Sequence, residues 1–330
     1  MNTSNATAIT YAAKSVSTYM AFYGYYCLST VILGTTLNLL TLFVLCRSTF
    51  RNTQGRSTIH YMRTIAVMDF LGVYGWNIDS YLSAIHGFSL TYSYSVASCK
   101  FSFFFNFWTL QTSAWLHVLV SFDRYLFMSR IQPNTWFHRW KIVAIIITCI
   151  ITIFFLSNFP VLILICYRSA GGYIVIDSPL RPMISTFQTV HLWIYDFIPS
   201  GLILSFNFLS IHHLHKLRRT TTITNSKVRH RPITITLIIS GFTFVMTRTP
   251  ASFNYGFLYP TLSAIYWGRY VLGASNLLLY TCPVLSFPIY FMTFSEFRHQ
   301  LINLVTRRPV TTRIAGDAPV QVVQVRGQNK

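Results

Sequence analysis

The sequence contains few charged residues, and acidic residues are the scarcest of them. Aspartate and glutamate together number 7 in a chain of 330 residues, against 26 lysines and arginines. Charged residues make up 10% of the chain, whereas a soluble domain contains about 25%. Hydrophobic residues make up 52%, and the mean hydropathy is +0.45. This composition argues against an ordinary soluble globular protein.

Short catalytic motifs are also missing from the sequence. It contains no CxxC, HExxH, GxSxG or phosphate-loop pattern, so an enzymatic function has little support. Three histidines cluster at His212, His213 and His215, which is more typical of a solvated basic helix end than of a metal site. We therefore predict that the protein is not an enzyme and needs no cofactor.

Long apolar runs dominate what is present. Four of them contain no charged residue, and three are broken only by isolated charges, at Asp69, Asp79, Asp196 and Arg248. In chain order the seven runs are Ala21–Cys46, Thr64–Ser98, Phe101–Phe122, Ile142–Tyr167, Met183–His215, Ile233–Tyr259 and Tyr270–Ser295. A helix crosses a bilayer with about 20 apolar residues, so each run is long enough to span the membrane. The sequence therefore predicts an all-α membrane protein built as a seven-transmembrane helix bundle.

The net charge of +19 could indicate nucleic-acid binding, so the positions of the basic residues decide its meaning. Twenty of the 26 basic residues follow the first, third, fifth and seventh runs, whereas five lie in the amino-terminal head and the other connections. By the positive-inside rule, the amino terminus is then extracellular and the carboxyl terminus cytoplasmic. We expect a multi-pass protein of the plasma membrane that contacts lipid and binds no nucleic acid.

The two ends of the chain agree with this orientation. Glycosylation sequons begin at Asn2 and Asn5, in a head over residues 1–20 that must be extracellular for glycans to be added. The membrane-spanning region is predicted over residues 21–293. Residues 305–330 are polar, which predicts a disordered cytoplasmic tail.

Two of the six cysteines fall at the predicted outer face. Cys99 lies at the start of the third span and Cys166 just after the fourth. An oxidising exterior would let them form a disulfide that fixes the second outer loop to the third helix. A bridge to Cys27, or two free thiols, are the alternatives.

A sequence motif at the inner end of the third span indicates a resemblance to a known family. The triplet Asp123-Arg124-Tyr125 ends this span, and Cys99 lies 24 residues before it. Matching positions occur in five other spans, at Asn38, Asp69, Pro199, Pro250 and the stretch 286–290, whose sequence is SFPIY. Residues 294–304 then read as a short amphipathic helix on the inner membrane surface. In this register the chain resembles the rhodopsin-like (class A) G-protein-coupled receptors.

The resemblance implies roles for several of these residues. Arg124 would pair with Asp123 at rest and contact a heterotrimeric G protein when the helices part, and Tyr290 would act as a switch. Asp69, with Ser113 and Ser286, resembles the sodium pocket of the family, because hard cations prefer oxygen ligands. A water-filled hydrogen-bond network without sodium is the alternative.

One departure from the family pattern carries a charge. Arg248 replaces the tryptophan expected two residues before Pro250. An arginine in the middle of a span needs a counter-ion or a water cavity. We predict an intramembrane ion pair between Arg248 and Asp196, because each charge would otherwise be unpaired in a medium of low dielectric constant. Contact of Arg248 with Asp69, or with water only, is the alternative.

The predicted ligand-binding positions are polar and aromatic, which suits a medium-sized polar ligand with aromatic groups. They are Asn77, Asp79, Asn106, Gln111, His191, Tyr195, Asn254, Asn276 and Tyr280. Within the family the chain is most similar in texture to the FMRFamide-like and other neuropeptide receptors of invertebrates. This likeness implies an extracellular peptide as the ligand.

Two other functions remain open at this point. A non-coupling scavenger receptor, or a chemosensory receptor for a small molecule, would fit the departures from the family pattern. These are Arg248 in the sixth span and, in the seventh, Ser286 in place of an asparagine and a proline shifted by one place to Pro288. A transporter is disfavoured, because the sequence shows no internal repeat and few ionic residues deep in the spans.

Overall fold

A computed structural model describes residues 3–47, 57–129, 140–175, 189–220 and 231–306. Within these ranges the chain is almost entirely helical. Its α-helices are α1 (Thr3–Leu45), α2 (Ser57–Gly72), α3 (Trp76–His86), α4 (Val96–Met128), α5 (Trp140–Ser157), α6 (Phe159–Leu164), α7 (Ile198–Thr220), α8 (Arg231–Phe253), α9 (Tyr259–Ala264), α10 (Gly268–Thr293) and α11 (Ser295–Val305). The protein is therefore all-α, as predicted.

Within the described ranges, five helical segments are long and apolar enough to cross a membrane. They are Thr18–Leu45, Trp140–Leu164, Thr189–Lys216, Ile233–Ala264 and Gly268–Thr293. The chain thus has the character of a multi-pass membrane protein. The number of such segments is lower than the seven spans that the sequence predicted.

The two predicted spans that do not reach this standard fail for different reasons. The run 64–98 is divided between α2, of 16 residues, and α3, of 11 residues, by a turn at residues 73–75. Helix α4 is 33 residues long but lines its buried surface with polar side chains such as Asn106, Gln111 and His117. These polar residues lower the mean hydropathy of a helix whose surface is turned toward other helices.

Helix α4 is the central element of the bundle. It packs against α2, α5, α7 and α8. Its first turn is capped by Ser95, whose hydroxyl accepts a hydrogen bond from the amide of Ser98 at 3.0 Å. Such a cap satisfies one of the amide groups that have no partner within the helix.

The amino-terminal end of α4, which the sequence predicts to be the outer end, is attached to a short hairpin. Strands β1 (Tyr167–Arg168) and β2 (Ile174–Val175) pair antiparallel. The predicted disulfide between Cys99 and Cys166 is confirmed: it joins the first turn of α4 to the residue before β1. Cys27, the alternative partner, is a buried free thiol.

Within the residues that the structure describes, three π-helical turns occur, over Leu90–Tyr94, Trp193–Phe197 and Asn254–Leu258. Such turns add a residue to the helix and often occur at functional sites. The second contains Tyr195 and Asp196, and the third begins at Asn254. Three of the predicted site residues therefore lie where the helix geometry is irregular.

The inner half of the bundle is an apolar core formed by most of the long helices. Its members include Ile65 on α2, Leu116 on α4, Tyr290 on α10 and Phe297 on α11. Helix α11, observed over Ser295–Val305 where the sequence predicted 294–304, inserts Phe297, Gln300 and Leu301 and leaves Val305 exposed. The short helix after the last span is therefore present.

Some predictions about the two ends concern residues that the structure does not describe. Asn2 and residues 307–330 of the predicted tail lie outside the described ranges. Asn5 falls within α1, which runs without a break from the predicted head into the first span.

Candidate functional site

The side chain of Asp69 is contacted by two serines from two other helices. Its Oδ1 accepts a hydrogen bond from the Ser113 hydroxyl at 3.0 Å, and its Oδ2 accepts one from the Ser286 hydroxyl at 3.4 Å. Asp69 is buried on α2, and the two serines lie on α4 and α10. The structure thus brings together the three residues that the resemblance assigned to a cation pocket.

Arg248 is the largest fully buried side chain in the described residues, with 1% of its surface exposed. Its Nη1 donates to the Leu110 carbonyl oxygen at 2.9 Å. The guanidinium also lies over the ring of Phe244, 4.4 Å from the centroid, and 5.8 Å from the centroid of Tyr195. A cation over an aromatic face is attracted by the ring quadrupole, so these rings replace part of the solvation that burial removes.

The predicted direct ion pair between Arg248 and Asp196 does not form. Asp196 is 0% exposed, its Oδ1 accepts a long hydrogen bond from Ser200 at 3.4 Å, and Ser252 also acts on the carboxylate, which makes no ion pair with Arg248 among the described residues. The physical reason is that Arg248 Nη1 donates a hydrogen bond to the backbone of α4, and the guanidinium lies over the ring of Phe244. The two charges interact electrostatically across a gap instead of touching.

Arg248 also interacts electrostatically with Asp69. Its partner Leu110 lies three residues before Ser113 on α4, which is close to one helical turn. The same guanidinium interacts with Cys282, which lies one turn before Ser286 on α10. The arginine is therefore located close to the Asp69 cluster, one helical turn along α4 and α10 from its two serines.

Several buried polar atoms around Arg248 have no hydrogen-bond partner among the described residues. They are Asp196 Oδ2, the Tyr195 hydroxyl, Arg248 Nε, the Thr249 hydroxyl and the Ser252 hydroxyl. An unmade hydrogen bond at a buried polar atom costs about 1–3 kcal/mol, and such atoms are rare in native proteins. A cluster of them is a polar site that water or a polar ligand group can complete.

Four of the predicted ligand-binding residues, Asn106, Tyr280, Asn254 and Asn276, join neighbouring helices in the outer half. Asn106 Oδ1 accepts from the Tyr280 hydroxyl at 3.0 Å, Asn254 Nδ2 donates to Ser275 at 2.7 Å, and Asn276 Nδ2 donates to Tyr23 at 2.6 Å. Position 75 is a glycine, since a Cβ there would collide with Asn106 Oδ1. The partners Ser275 and Tyr23 were not predicted, because only the fold brings them close.

Three other predicted ligand-binding residues are used within the protein. Asp79 accepts hydrogen bonds from the Ser89 hydroxyl and the Thr91 amide, both at 3.0 Å, and so holds the π-helical turn at Leu90–Tyr94. Asn77 Nδ2 donates to the backbone carbonyl oxygen of Val73, four residues earlier. Gln111 Oε1 accepts from Asn158 Nδ2 at 2.6 Å.

The remaining two predicted residues form an aromatic stack. The ring of His191 lies 4.4 Å from that of Phe107 and 5.8 Å from that of Tyr195. This stack connects the central helix α4 with the segment that precedes α7. It lies beside Asp196, which follows Tyr195 in the same π-helical turn.

At the inner end of α4 the predicted pair of Asp123 and Arg124 is present. Arg124 Nη2 donates to Asp123 Oδ2 at 2.9 Å, and the Thr58 hydroxyl donates to the same oxygen at 2.6 Å. Asp123 is fully buried and Arg124 is 6% exposed. Thr58 was not predicted, although its place in the helix that follows a basic connection could have indicated an inner-face position.

Two tyrosines complete this end of the bundle: Tyr125, the third residue of the triplet, and Tyr290, the predicted switch tyrosine. The ring of Tyr125 stacks on Phe206 at 6.0 Å between centroids. Tyr290 packs against Phe297 of α11 at 6.0 Å, and so couples the last span to the short helix.

Comparison of the sequence with protein-family models found no match, and comparison with curated proteins found no match either.

Proposed function

We propose that the protein is a seven-span cell-surface receptor that resembles the rhodopsin-like G-protein-coupled receptors and activates a heterotrimeric G protein. Five apolar helical segments support the multi-pass fold. The polar helix α4 and the segment formed by α2 and α3 are proposed to complete the seven. The position of the basic residues supports an extracellular amino terminus and a location in the plasma membrane.

The observation that carries the proposal is the buried pair of Asp123 and Arg124 at the inner end of α4. Its three hydrogen-bonding groups come from α2 and α4, and the charges are held in a small volume at the edge of an apolar core. A buried ion pair gains little net stability over an apolar pair of the same size. It is better suited to a switch, in which the arginine leaves its carboxylate when neighbouring helices move apart.

The ligand is proposed to bind in the outer half. Polar contacts between helices there involve Asn106, Tyr280, Asn254 and Asn276, and unpartnered polar atoms lie deeper, around Asp196. A ligand that offers both donors and acceptors can exchange these contacts for its own. A peptide with aromatic side chains and an amide end has this chemistry, and we propose a peptide of this class.

The first experiment measures G-protein activation in cells. The protein would be expressed with a set of Gα subunits, and dissociation of Gα from Gβγ followed by energy transfer while a library of amidated peptides is added. We expect a peptide-dependent signal that Arg124→Ala abolishes at unchanged surface expression. Lys141→Ala is the matched control, because Lys141 is an exposed cation in the helix that follows the second basic connection.

The outcomes separate the proposal from its alternatives. A signal from small odorants but from no peptide would assign a chemosensory receptor. Ligand uptake without any G-protein signal, unchanged by Arg124→Ala, would assign a scavenger receptor. If epitope tags at both termini were accessible from the same side of intact cells, the seven-span arrangement would be wrong.

A further inference from the structure

The Asp69 cluster has the oxygen atoms of a cation site, but a cation of the protein already lies beside it. Asp69 offers two carboxylate oxygens and is joined by the hydroxyls of Ser113 and Ser286. Such oxygens suit a hard cation. The residues around them therefore decide whether a metal ion would be held there.

The guanidinium of Arg248 enters this neighbourhood from α8. Its Nη1 is fixed to the Leu110 carbonyl oxygen, one turn along α4 from Ser113, and its charge acts on Asp69. The side chain is 1% exposed, so solvent does not screen that charge. It is also held by the ring of Phe244, which restricts it from turning away.

The balance of charge in the middle of the bundle is then set by three side chains. Asp69 and Asp196 are the carboxylates, and Arg248 is the guanidinium that interacts with both. Neither carboxylate makes a direct ion pair with Arg248, so the guanidinium interacts electrostatically with both from one position. Two like cations in a medium of low dielectric constant repel each other strongly, because their energy scales as the inverse of the dielectric constant.

We infer that Arg248 is a built-in counter-ion for Asp69 and Asp196, and that its guanidinium takes the electrostatic place of a sodium ion and excludes sodium from the Asp69 cluster. The oxygen atoms fit a sodium ion, but the neighbouring charge does not. This inference goes beyond the proposed function and does not depend on coupling to a G protein. It makes the central charge cluster independent of the external salt.

The test is the thermal stability of the purified full-length protein in nanodiscs. Unfolding would be followed in sodium chloride, potassium chloride and choline chloride at equal ionic strength. For the wild-type protein we expect the same midpoint in all three salts. For Arg248→Gln we expect a lower midpoint in choline chloride and a partial recovery that is specific to sodium, because the freed carboxylate can then bind the ion.

Two further variants show whether the recovery has the proposed origin. Adding Asp69→Asn to Arg248→Gln should remove the sodium response. Arg63→Gln is the matched control, since Arg63 also donates to a backbone carbonyl, that of Leu45, and it should gain no sodium response.

A sodium-specific rise of the wild-type midpoint would overturn the inference, and that measurement requires no variant to fold. A folded Arg248→Gln protein without any sodium response would overturn it as well, because the guanidinium would then not be what keeps sodium out. Both results leave the G-protein assay unaffected, so failure of this inference and failure of the proposed function can be told apart.

Discussion

Buried charges are in direct contact at the inner end of the bundle and are separated in its middle. At the inner end, Asp123 and Arg124 touch, and Thr58 adds a third hydrogen bond to the same oxygen. In the middle, Arg248 and Asp196 share a region without touching, and a polar atom on each has no partner. The two charges of the inner site touch each other, whereas those of the middle site do not.

This difference separates a contact within one helix from charges that come from different elements. Both charges of the inner pair lie on α4, and the Thr58 hydroxyl joins the pair to α2, so separation of α2 from α4 breaks that hydrogen bond. The middle charges have fewer direct bonds to lose when the helices rearrange. If the protein is the proposed receptor, a ligand in the outer half would act first on the middle site, and the inner pair would respond through the helices that join them.

The largest effect on stability is expected from Asp123→Asn, which removes the carboxylate of the inner pair. Arg124 would then stay buried without its counter-charge, and breaking a buried pair in this way costs about 3 kcal/mol or more. A thiol-reactive dye can measure unfolding, because Cys27 and Cys282 are buried in the folded protein. We expect a clear fall in the midpoint of the dye signal.

A background of Cys46→Ser and Cys149→Ser sharpens this measurement, because those two free thiols are exposed and react before unfolding. An unchanged midpoint for Asp123→Asn would contradict the view that the inner pair holds the bundle closed.

An intermediate effect is expected from Tyr280→Phe. The change leaves Asn106 Oδ1 buried without the donor that it has at 3.0 Å, which costs about 1–3 kcal/mol. The same dye assay would measure it, with Tyr173→Phe as the control, since Tyr173 is exposed in the outer hairpin. Equal midpoints for the two variants would show that the contact between α4 and α10 adds nothing to stability.

The smallest effect is expected from Asp196→Asn. Its carboxylate makes a long hydrogen bond with Ser200 and no direct ion pair, so loss of the charge also removes a desolvation penalty, and the two changes offset each other. We expect a stability within about 1 kcal/mol of the wild type, which is the range of one ordinary hydrogen bond. A loss of stability as large as that of Asp123→Asn would mean that the carboxylate of Asp196 stabilises the protein as much as that of Asp123 does.

The sequence allowed some contacts to be predicted because short-range pattern and side-chain chemistry leave few alternatives. Cys99 and Cys166 were placed at one face of the membrane by the helix pattern, and the disulfide follows from that. Asp123 and Arg124 are neighbours in the chain. The convergence of Asp69, Ser113 and Ser286 was suggested by the family resemblance and could not have been obtained from spacing alone.

Other contacts depended on the exact rotation of helices, which the sequence does not specify. The Asp196–Arg248 pair was predicted by charge alone and proved wrong as a direct contact, because a backbone carbonyl and an aromatic ring compete for the guanidinium. Asp79, a predicted ligand-binding residue, holds a π-helical turn, and the sequence did not predict this role. Such local irregularities have no signal in the hydrophobic pattern.

By itself, the sequence determined that the protein is helical and apolar, because lipid requires every backbone polar group to be bonded within the segment and a run of about 20 apolar residues meets that demand. Only the tertiary structure decided which polar groups meet across helices and which are left without partners. Those choices depend on rotations of a few degrees and shifts of a few ångströms between helices, and many sequences with the same hydrophobic pattern would resolve them differently.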